Sequence, residues 1–151
     1  MSFTRTLRPA TPKEKQSLIA NGERLKSDTG TVEVLTVEVN RFAVGQECND
    51  EGPILFFELT QNELLVLWGQ WLYDPHVVTT ELPDIGGLWE RNAWFKQFEL
   101  VRSSSSGVVL SLKSIGYETV NSVGTISAGQ RLPAQPSGVF QGTLDTLVNQ
   151  Q

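Results

Sequence analysis

The sequence predicts a single α+β domain: a mainly antiparallel sheet of about five strands, two main helices packed on it, and a short C-terminal helix. Three observations favour this fold. Two segments combine helix-capping residues with apolar residues at helical spacing, several β-branched and aromatic runs are bounded by turn residues, and 151 residues suit one domain. Residues 1–10, rich in Thr, Arg and Pro, are expected to form a flexible lead, so the domain spans residues 11–151.

The first helix is expected over residues 12–26. Thr11 suits the N-cap, Pro12 suits the first helical position, and Glu14 follows Thr11 at the spacing of a capping box. An apolar stripe of Leu18, Ile19 and Leu25 gives this helix one face to bury.

The clearest strand runs from Thr31 to Val39. Val32 and Val34 share one face of this strand, whereas Val37 and Val39 fall on the other face. The pattern predicts either a bulge or a strand that is covered on both sides. Acidic turn sequence follows, and then a second, mostly buried strand over residues 53–59.

A second helix is expected over residues 61–73. Thr60 and Glu63 repeat the capping-box spacing, and Asp74-Pro75 ends the segment. The apolar residues that follow the cap recur at helical spacing: Leu64, Leu67, Trp68, Trp71 and Leu72. Residues 74–93 carry several breakers and are expected to be irregular.

The second half of the chain has the residue pattern of β structure. Residues 94–102 and 108–115 flank a serine-rich turn and predict a hairpin, and residues 117–126 continue as a third strand. Short connections make this an antiparallel meander. A short terminal helix is expected from the spacing of Leu144, Leu147 and Val148.

The charge pattern excludes several classes of function. The net charge is −5, and residues 31–100 hold twelve acidic residues against three basic ones, a local charge of −9. Nucleic-acid binding needs a basic footprint, so the acidic balance argues against it and favours a basic protein partner. No membrane span or secretory signal is found, which predicts a soluble, cytoplasmic protein. The single cysteine, Cys48, excludes an intrachain disulfide.

One stretch has the spacing of a calcium loop. Glu47, Asn49, Glu51 and Glu58 fall at positions 1, 3, 5 and 12 of that template. The first position should be the shorter Asp, and both flanks are predicted strands where an EF-hand needs helices. An acidic turn explains the same residues, so we predict neither a metal nor a cofactor.

The candidate binding residues lie in the middle of the chain. All four tryptophans fall within 27 residues of one another, and such clusters form either a core or a ligand-binding surface. A core is the simpler explanation, except in the irregular stretch 74–93. The residues that we select as a binding surface are Trp68, Trp71, Tyr73, His76, Trp89 and Arg91.

Two functions remain open. The first is a non-catalytic protein-binding or accessory module that acts through the acidic, Trp-bearing middle segment. The second is a small, carboxylate-based, hydrolase-like enzyme with His76, the single histidine, as acid or base. The missing nucleophile and phosphate-loop motifs favour the binding module, so no catalytic residue is assigned.

A homodimer is also expected. The strands of the second half carry more apolar side chains than two helices can cover, and a self-complementary patch would bury them. These side chains are Phe95, Val101, Val109, Ile115 and Val123.

Overall fold

The protein is mainly β, so the predicted α+β fold with two main helices and about five strands is wrong. A computed structural model describes residues 3–20, 30–45, 52–59, 62–80, 92–126 and 137–145. Strands account for 59% of these residues and helical turns for 14%. The described part contains eleven strands and one α-helix.

The strands form two mixed sheets. The first sheet, in spatial order, consists of β1 (Phe3–Pro9), β2 (Thr31–Glu38), β8 (Gln97–Ser103), β9 (Val109–Ser114) and β6 (Val78–Thr79). The second sheet consists of β11 (Ser137–Gln141), β5 (Glu63–Trp68), β4 (Ile54–Glu58), β3 (Arg41–Gly45), β10 (Thr119–Ile126) and β7 (Ala93–Phe95). Most neighbours are antiparallel, but β6 runs parallel to β9 and β10 runs parallel to β3.

The main core lies between the two sheets and is rich in aromatic rings. Phe57 of β4 stacks on Phe42 of β3 with ring centroids 5.6 Å apart, and it meets Phe98 of β8 edge-on at 5.3 Å. Trp94 also contacts Phe57 and is fully buried. Because rings from both sheets meet at Phe57, the inner faces are held together by large apolar contacts.

Three stretches of chain pass from one sheet to the other at one corner. The chain crosses between β2 and β3 at Val39, between β7 and β8 at Lys96, and between β9 and β10 near Glu118. The Val39 N–H donates to the Lys96 carbonyl (2.8 Å), the Lys96 ammonium donates to the Val39 carbonyl (2.6 Å), and the Lys96 N–H donates to the Glu118 carbonyl (2.9 Å). These bonds satisfy backbone groups at the corner and place the ends of the two sheets side by side.

The outer face of the first sheet is covered in part by α1 (Pro12–Ala20). Leu18 is the buried residue of this helix and packs against Val32 and Val101. The predicted capping box is confirmed, because the Thr11 N–H donates to the Glu14 carboxylate (2.9 Å) and the Glu14 N–H donates to the Thr11 hydroxyl (3.2 Å). The predicted second half of this helix, residues 21–26, lies outside the described residues.

The outer face of the second sheet is also buried. Phe56 and Val66 are at most 3% exposed there, although they point away from the main core. Ile126 of β10 lies on the same face, and Leu144, after β11, packs over it. Both faces of β4 and β5 are therefore apolar, which explains the uninterrupted hydrophobic runs in their sequences.

The predicted helix over residues 61–73 is wrong. Residues 63–68 form β5, and residues 70–73 form a short 3₁₀ helix. Leu65 and Leu67 face the main core, whereas Leu64 and Val66 face the outer layer. Since both faces are buried, the apolar residues fit a helical template by coincidence. Gly69 adopts a φ of 131° between the strand and the 3₁₀ helix, a conformation that favours glycine.

Two further expectations need correction. Residues 3–9, expected to be a flexible lead, form β1 and pair with β2 along their whole length. The hairpin of β8 and β9 is confirmed, but the third strand of the predicted meander is not beside it. Instead β10 joins the other sheet, between β3 and β7, because the chain turns the corner after β9.

Other expectations are met in part. β2 is covered on both sides, since Val32 lies under α1 and Val37 lies in the main core. The predicted terminal helix is not among the elements of the described part: only Leu144 and Asp145 are helical there, and Leu147 and Val148 lie outside the described residues. Three of the five side chains that suggested a dimer are buried within the chain: Phe95, Val101 and Val109. Ile115 and Val123 are 40% and 53% exposed.

The packing of α1 gives a first testable prediction. Leu18→Ala should lower the free energy of unfolding by about 2–5 kcal/mol, because it leaves a cavity against Val32 and Val101. The neighbouring Ile19 is 59% exposed, so Ile19→Ala is the matched control and should change stability by less than about 0.5 kcal/mol. Urea denaturation measures both values, and equal effects would contradict the described orientation of α1.

Candidate binding cleft

A cleft of about 620 Å³ lies on the outer face of the first sheet. It lies between the first half of α1, the turn before β6, and the middle of β9. Its volume is in the range of small-ligand sites, about 300–1,000 Å³. The lining is mostly polar: Thr11, Lys13, Glu14, Ser17, Asp74, His76, Val77, Leu110 and Ser111.

The cleft lies beside α1, over β9. The described part of the helix buries Leu18 over β2 and β8, and Leu110 of β9 beyond them is half-buried. Leu110 and Val77 are half-buried and contribute apolar surface to the cleft. The side chains on α1 and on the turn before β6 supply its polar walls.

His76 lies in a turn that Asp74 holds in place. One Asp74 carboxylate oxygen accepts the His76 N–H at 2.8 Å, and the Asp74 carbonyl accepts the N–H groups of Val77 (3.0 Å) and Val78 (2.9 Å). The His76 side chain is exposed on this ordered turn. The arrangement holds the backbone of His76 beside the cleft, where the imidazole can donate or accept a hydrogen bond.

Glu14 lines the other side of the cleft and is paired with Arg8. The Arg8 guanidinium donates to both carboxylate oxygens, at 2.7 and 2.9 Å. The hydrogen bonds from Arg8, with those from Thr11, hold the pKa of Glu14 below its usual range, although partial burial acts in the opposite direction. Glu14 is therefore ionised near neutral pH, and it is unsuited to act as a general acid.

A smaller cleft of about 260 Å³ lies further along the same strand. Thr79, Thr80, Lys113, Ser114 and Gly116 line it. The hydroxyl oxygens of Thr80 and Ser114 are 2.6 Å apart, which joins the chain after β6 to the end of β9.

The residues selected from the sequence are only partly brought together. His76 lines the larger cleft, but the lining does not include Trp68, Trp71 or Tyr73. Trp71 packs against the main core and donates its indole N–H to the Trp68 carbonyl at 2.8 Å, while Trp68 packs on the opposite face of the second sheet. Tyr73 is 47% exposed. Trp89 and Arg91 lie outside the described residues.

Sequence reasoning missed most of the cleft. Its polar side chains Lys13, Ser17 and Ser111 come from three places: the start and middle of α1 and, far along the chain, β9. No motif connects these positions, so only the placement of α1 over the sheet brings them to His76. The capping box at Thr11 is the sequence signal that marks the start of α1, which forms one wall of the cleft.

The acidic middle segment uses two of its carboxylates inside the protein. Glu58 is 5% exposed and accepts hydrogen bonds from Arg41 at both oxygens, 2.9 and 2.7 Å. It also accepts the Asn40 side-chain amide (3.0 Å) and the backbone N–H of Leu144 (2.9 Å). Arg41 in turn binds Asp145 at 3.1 Å, so this network fastens the chain after β11 to the second sheet.

The second internal carboxylate joins the two sheets. Glu33 of β2 accepts from Arg102 of β8 at 2.9 Å and lies 3.1 Å from the Arg5 guanidinium. Arg102 also donates to the hydroxyl of Ser137 in β11 at 3.1 Å. Ser137 is fully buried and donates to the Gly107 carbonyl. Two acidic side chains of the middle segment, Glu33 and Glu58, therefore form ion pairs within the chain.

The Glu58 network also bears on the calcium-like spacing. Glu58 already accepts four hydrogen bonds from three residues, two of them from the Arg41 guanidinium, and Glu47, Asn49 and Glu51 lie outside the described residues. Within the ranges that the structure describes, no three His, Cys, Asp or Glu side chains are grouped so that they could hold a metal ion.

Comparison with known proteins gives no family. No protein-family model, curated protein or solved structure matches this chain significantly. Among the described helices, none has the length and apolar character that crossing a membrane requires.

The Glu58 network predicts a pH-dependent stability. The Arg41 hydrogen bonds hold the pKa of Glu58 below its usual value, about 4.3, so the ionised form stabilises the folded state. This contribution is complete above the unfolded pKa and is lost as the pH falls through the lower folded pKa. Glu58→Gln should therefore cost about 1.5–3 kcal/mol at pH 7.

The difference between Glu58→Gln and the wild type should shrink as the pH falls below 4. The exposed Glu118→Gln is the matched control and should change stability by less than about 0.5 kcal/mol. Urea denaturation from pH 3 to 7 measures these values. A difference for Glu58→Gln that stays constant with pH would contradict the role of its charge.

Proposed function

We propose that the protein is a non-catalytic binding module, whose binding surface is the cleft between α1, the turn at Asp74–Val77 and β9. The observation that carries the proposal is the cleft itself, which has the volume of a ligand site and combines apolar and polar lining. Tyr73, nearly half-exposed and three residues before His76, adds an aromatic side chain of the kind enriched in interfaces.

We propose that the partner is a protein and that its contact surface is basic. The chain has a net charge of −5, which would steer a basic partner towards it. Glu38 and Glu99 are exposed on the same face of the first sheet as the cleft, and they support this charge preference. Glu33 and Glu58 do not, because their carboxylates are paired internally.

An enzyme is the second candidate, since the cleft brings His76 together with the hydroxyl side chains Ser17 and Ser111. The carboxylates beside them are less suitable for acid–base work. Glu14 is paired with Arg8, and one oxygen of Asp74 binds the backbone of His76. The binding module therefore has the stronger support.

A photo-crosslinking experiment tests the proposed function. A benzophenone amino acid at Ser111, in the cleft, should form an adduct with a protein partner in cells that express the chain. The same group at Gln141, exposed in β11 of the second sheet, is the control and should give no such adduct. With the identified partner purified, His76→Ala should weaken binding by roughly tenfold, about 1.4 kcal/mol.

Two results would contradict this proposal. Equal crosslinking from both positions would mean that the adducts are unspecific. Turnover of chromogenic ester or glycoside substrates that is abolished by His76→Asn, with stability unchanged, would favour the enzyme instead.

A homodimer remains part of the proposal, on Ile115 and Val123 from the predicted set, together with the exposed Tyr117. Ile115, Tyr117 and Val123 are 40–67% exposed, and their burial between two copies would be favourable. Light scattering should then give twice the monomer mass of 16.7 kDa at micromolar concentration. A mass that stays at 16.7 kDa would contradict the dimer.

A further inference from the structure

We propose that residues 142–145 are an acid-sensitive strap, which the ionised Glu58 carboxylate holds across the outer face of the second sheet and which is released when that carboxylate gains a proton. On release, the two sheets and the main core should persist. The proposal is carried by the path of the chain after β11 and by the contacts of Glu58. It is independent of the cleft, which lies on the first sheet.

The strap crosses three strands of the second sheet. Its path follows a row of residues that lie opposite one another in register on β11, β5, β4 and β3: Phe140, Leu64, Glu58 and Arg41. Gly142 donates its N–H to the Asn62 carbonyl at 2.6 Å, just before β5. Leu144 then donates its N–H to Glu58 at 2.9 Å, and Asp145 pairs with Arg41 at 3.1 Å. The contacts therefore pass from β5 to β4 to β3, one strand at a time.

One apolar side chain anchors the strap. Leu144 is fully buried and packs in the outer layer with Phe56 and Val66, whereas Asp145 is exposed. Fixing the backbone of four residues costs conformational entropy, and this cost exceeds the free energy that the burial of one leucine contributes. The strap therefore depends on its polar contacts as well, and chiefly on those that Glu58 makes.

The surroundings of Glu58 make its charge important. Among the described residues, the charged groups that face it are Arg41 of β3 and, on the same guanidinium, Asp145 of the strap. Asn40 adds a side-chain amide, and β5 places the apolar Leu64 opposite Glu58. Because Glu58 is only 5% exposed, water contributes little to the solvation of its carboxylate, and these donors take the place of water.

A proton on Glu58 weakens the attachment. The neutral carboxyl group loses its ion pair with Arg41 and accepts the Leu144 N–H less strongly. The remaining ion pair, between Arg41 and Asp145, is exposed and contributes little. The Arg41 hydrogen bonds hold the pKa of Glu58 below its usual value of about 4.3, although partial burial acts in the opposite direction. The strap is thus held at neutral pH and released as the pH falls below about 4.

The test is an NMR titration of the full chain from pH 7 to pH 3. The side-chain carboxyl ¹³C shift of Glu58 reports its protonation, and ¹⁵N relaxation gives the backbone order parameters. For residues 143–145 the order parameters should fall from about 0.85 to below about 0.6, with the same midpoint as the Glu58 titration. The amides of Phe57 and Phe98, in the main core, should keep their chemical shifts over the same range.

Three variants identify the group that triggers release. Glu58→Gln removes the charge at nearly constant size, so its strap should already be mobile at pH 7 and change little on acidification. Asp145→Asn removes only the exposed ion pair and should leave the strap ordered at pH 7. The exposed Glu118→Gln is the matched control and should release its strap at the wild-type midpoint. If Glu58→Gln does not fold, the wild-type titration decides the question alone.

Three results would overturn the proposal. If the order parameters of residues 143–145 stay near about 0.85 after Glu58 has gained its proton, Leu144 is sufficient to hold the strap. If the strap and the main core lose their order together, acid unfolds the protein as a whole and there is no separate release. If folded Glu58→Gln keeps its strap ordered at pH 7, the charge of Glu58 does not hold it.

Discussion

The fold depends on the corner at Lys96, where three stretches of chain pass between the sheets. The backbone bonds between Val39 and Lys96, and between Lys96 and Glu118, hold these crossings side by side. Because the corner joins the sheets at one end, their inner faces can close around Phe57 and its neighbouring rings. The Glu33–Arg102–Ser137 contacts join the sheets again, from β2 and β8 to β11. The first sheet, which carries the cleft, is thus fixed at two places.

Sequence patterns predicted local structure better than they predicted architecture. The capping box at Thr11, the strand from residue 31 and the hairpin of β8 and β9 depend on neighbouring residues, and the structure contains all three. The segment over residues 61–73 was misread because burial on both faces of a strand removes the alternation that identifies it. The sheet switch at Lys96 depends on contacts between distant residues, so no local pattern records it.

The candidate site also combines a residue that the sequence predicts with a grouping that the sequence predicts wrongly. His76 was selected as the single histidine in a turn, and the structure places it beside the cleft. The tryptophans were grouped because they are close in sequence, yet Trp68 and Trp71 pack against different layers. Strand alternation and the turn at Gly69 place Trp68 and Trp71 on different sides of the second sheet. These two tryptophans therefore do not form one surface, although they are close in sequence. The negative charge of the middle segment overstates what a partner could contact, since Glu33 and Glu58 are mostly buried and form ion pairs within the chain.

The short β6 limits how much of this sheet edge can pair with the strand of another chain. A long, flat and apolar edge would recruit other strands indiscriminately, and proteins avoid this with short edge strands and nearby charges. Here the edge strand has two residues, and Lys113 and Asp74 lie in the adjoining clefts. The opposite edge of the same sheet, β1, carries Arg5 and Arg8 and ends in Pro9. Both edges of the first sheet therefore carry features that disfavour pairing with the strand of another chain: a two-residue strand with charged neighbours on one side, and arginines and a proline on the other.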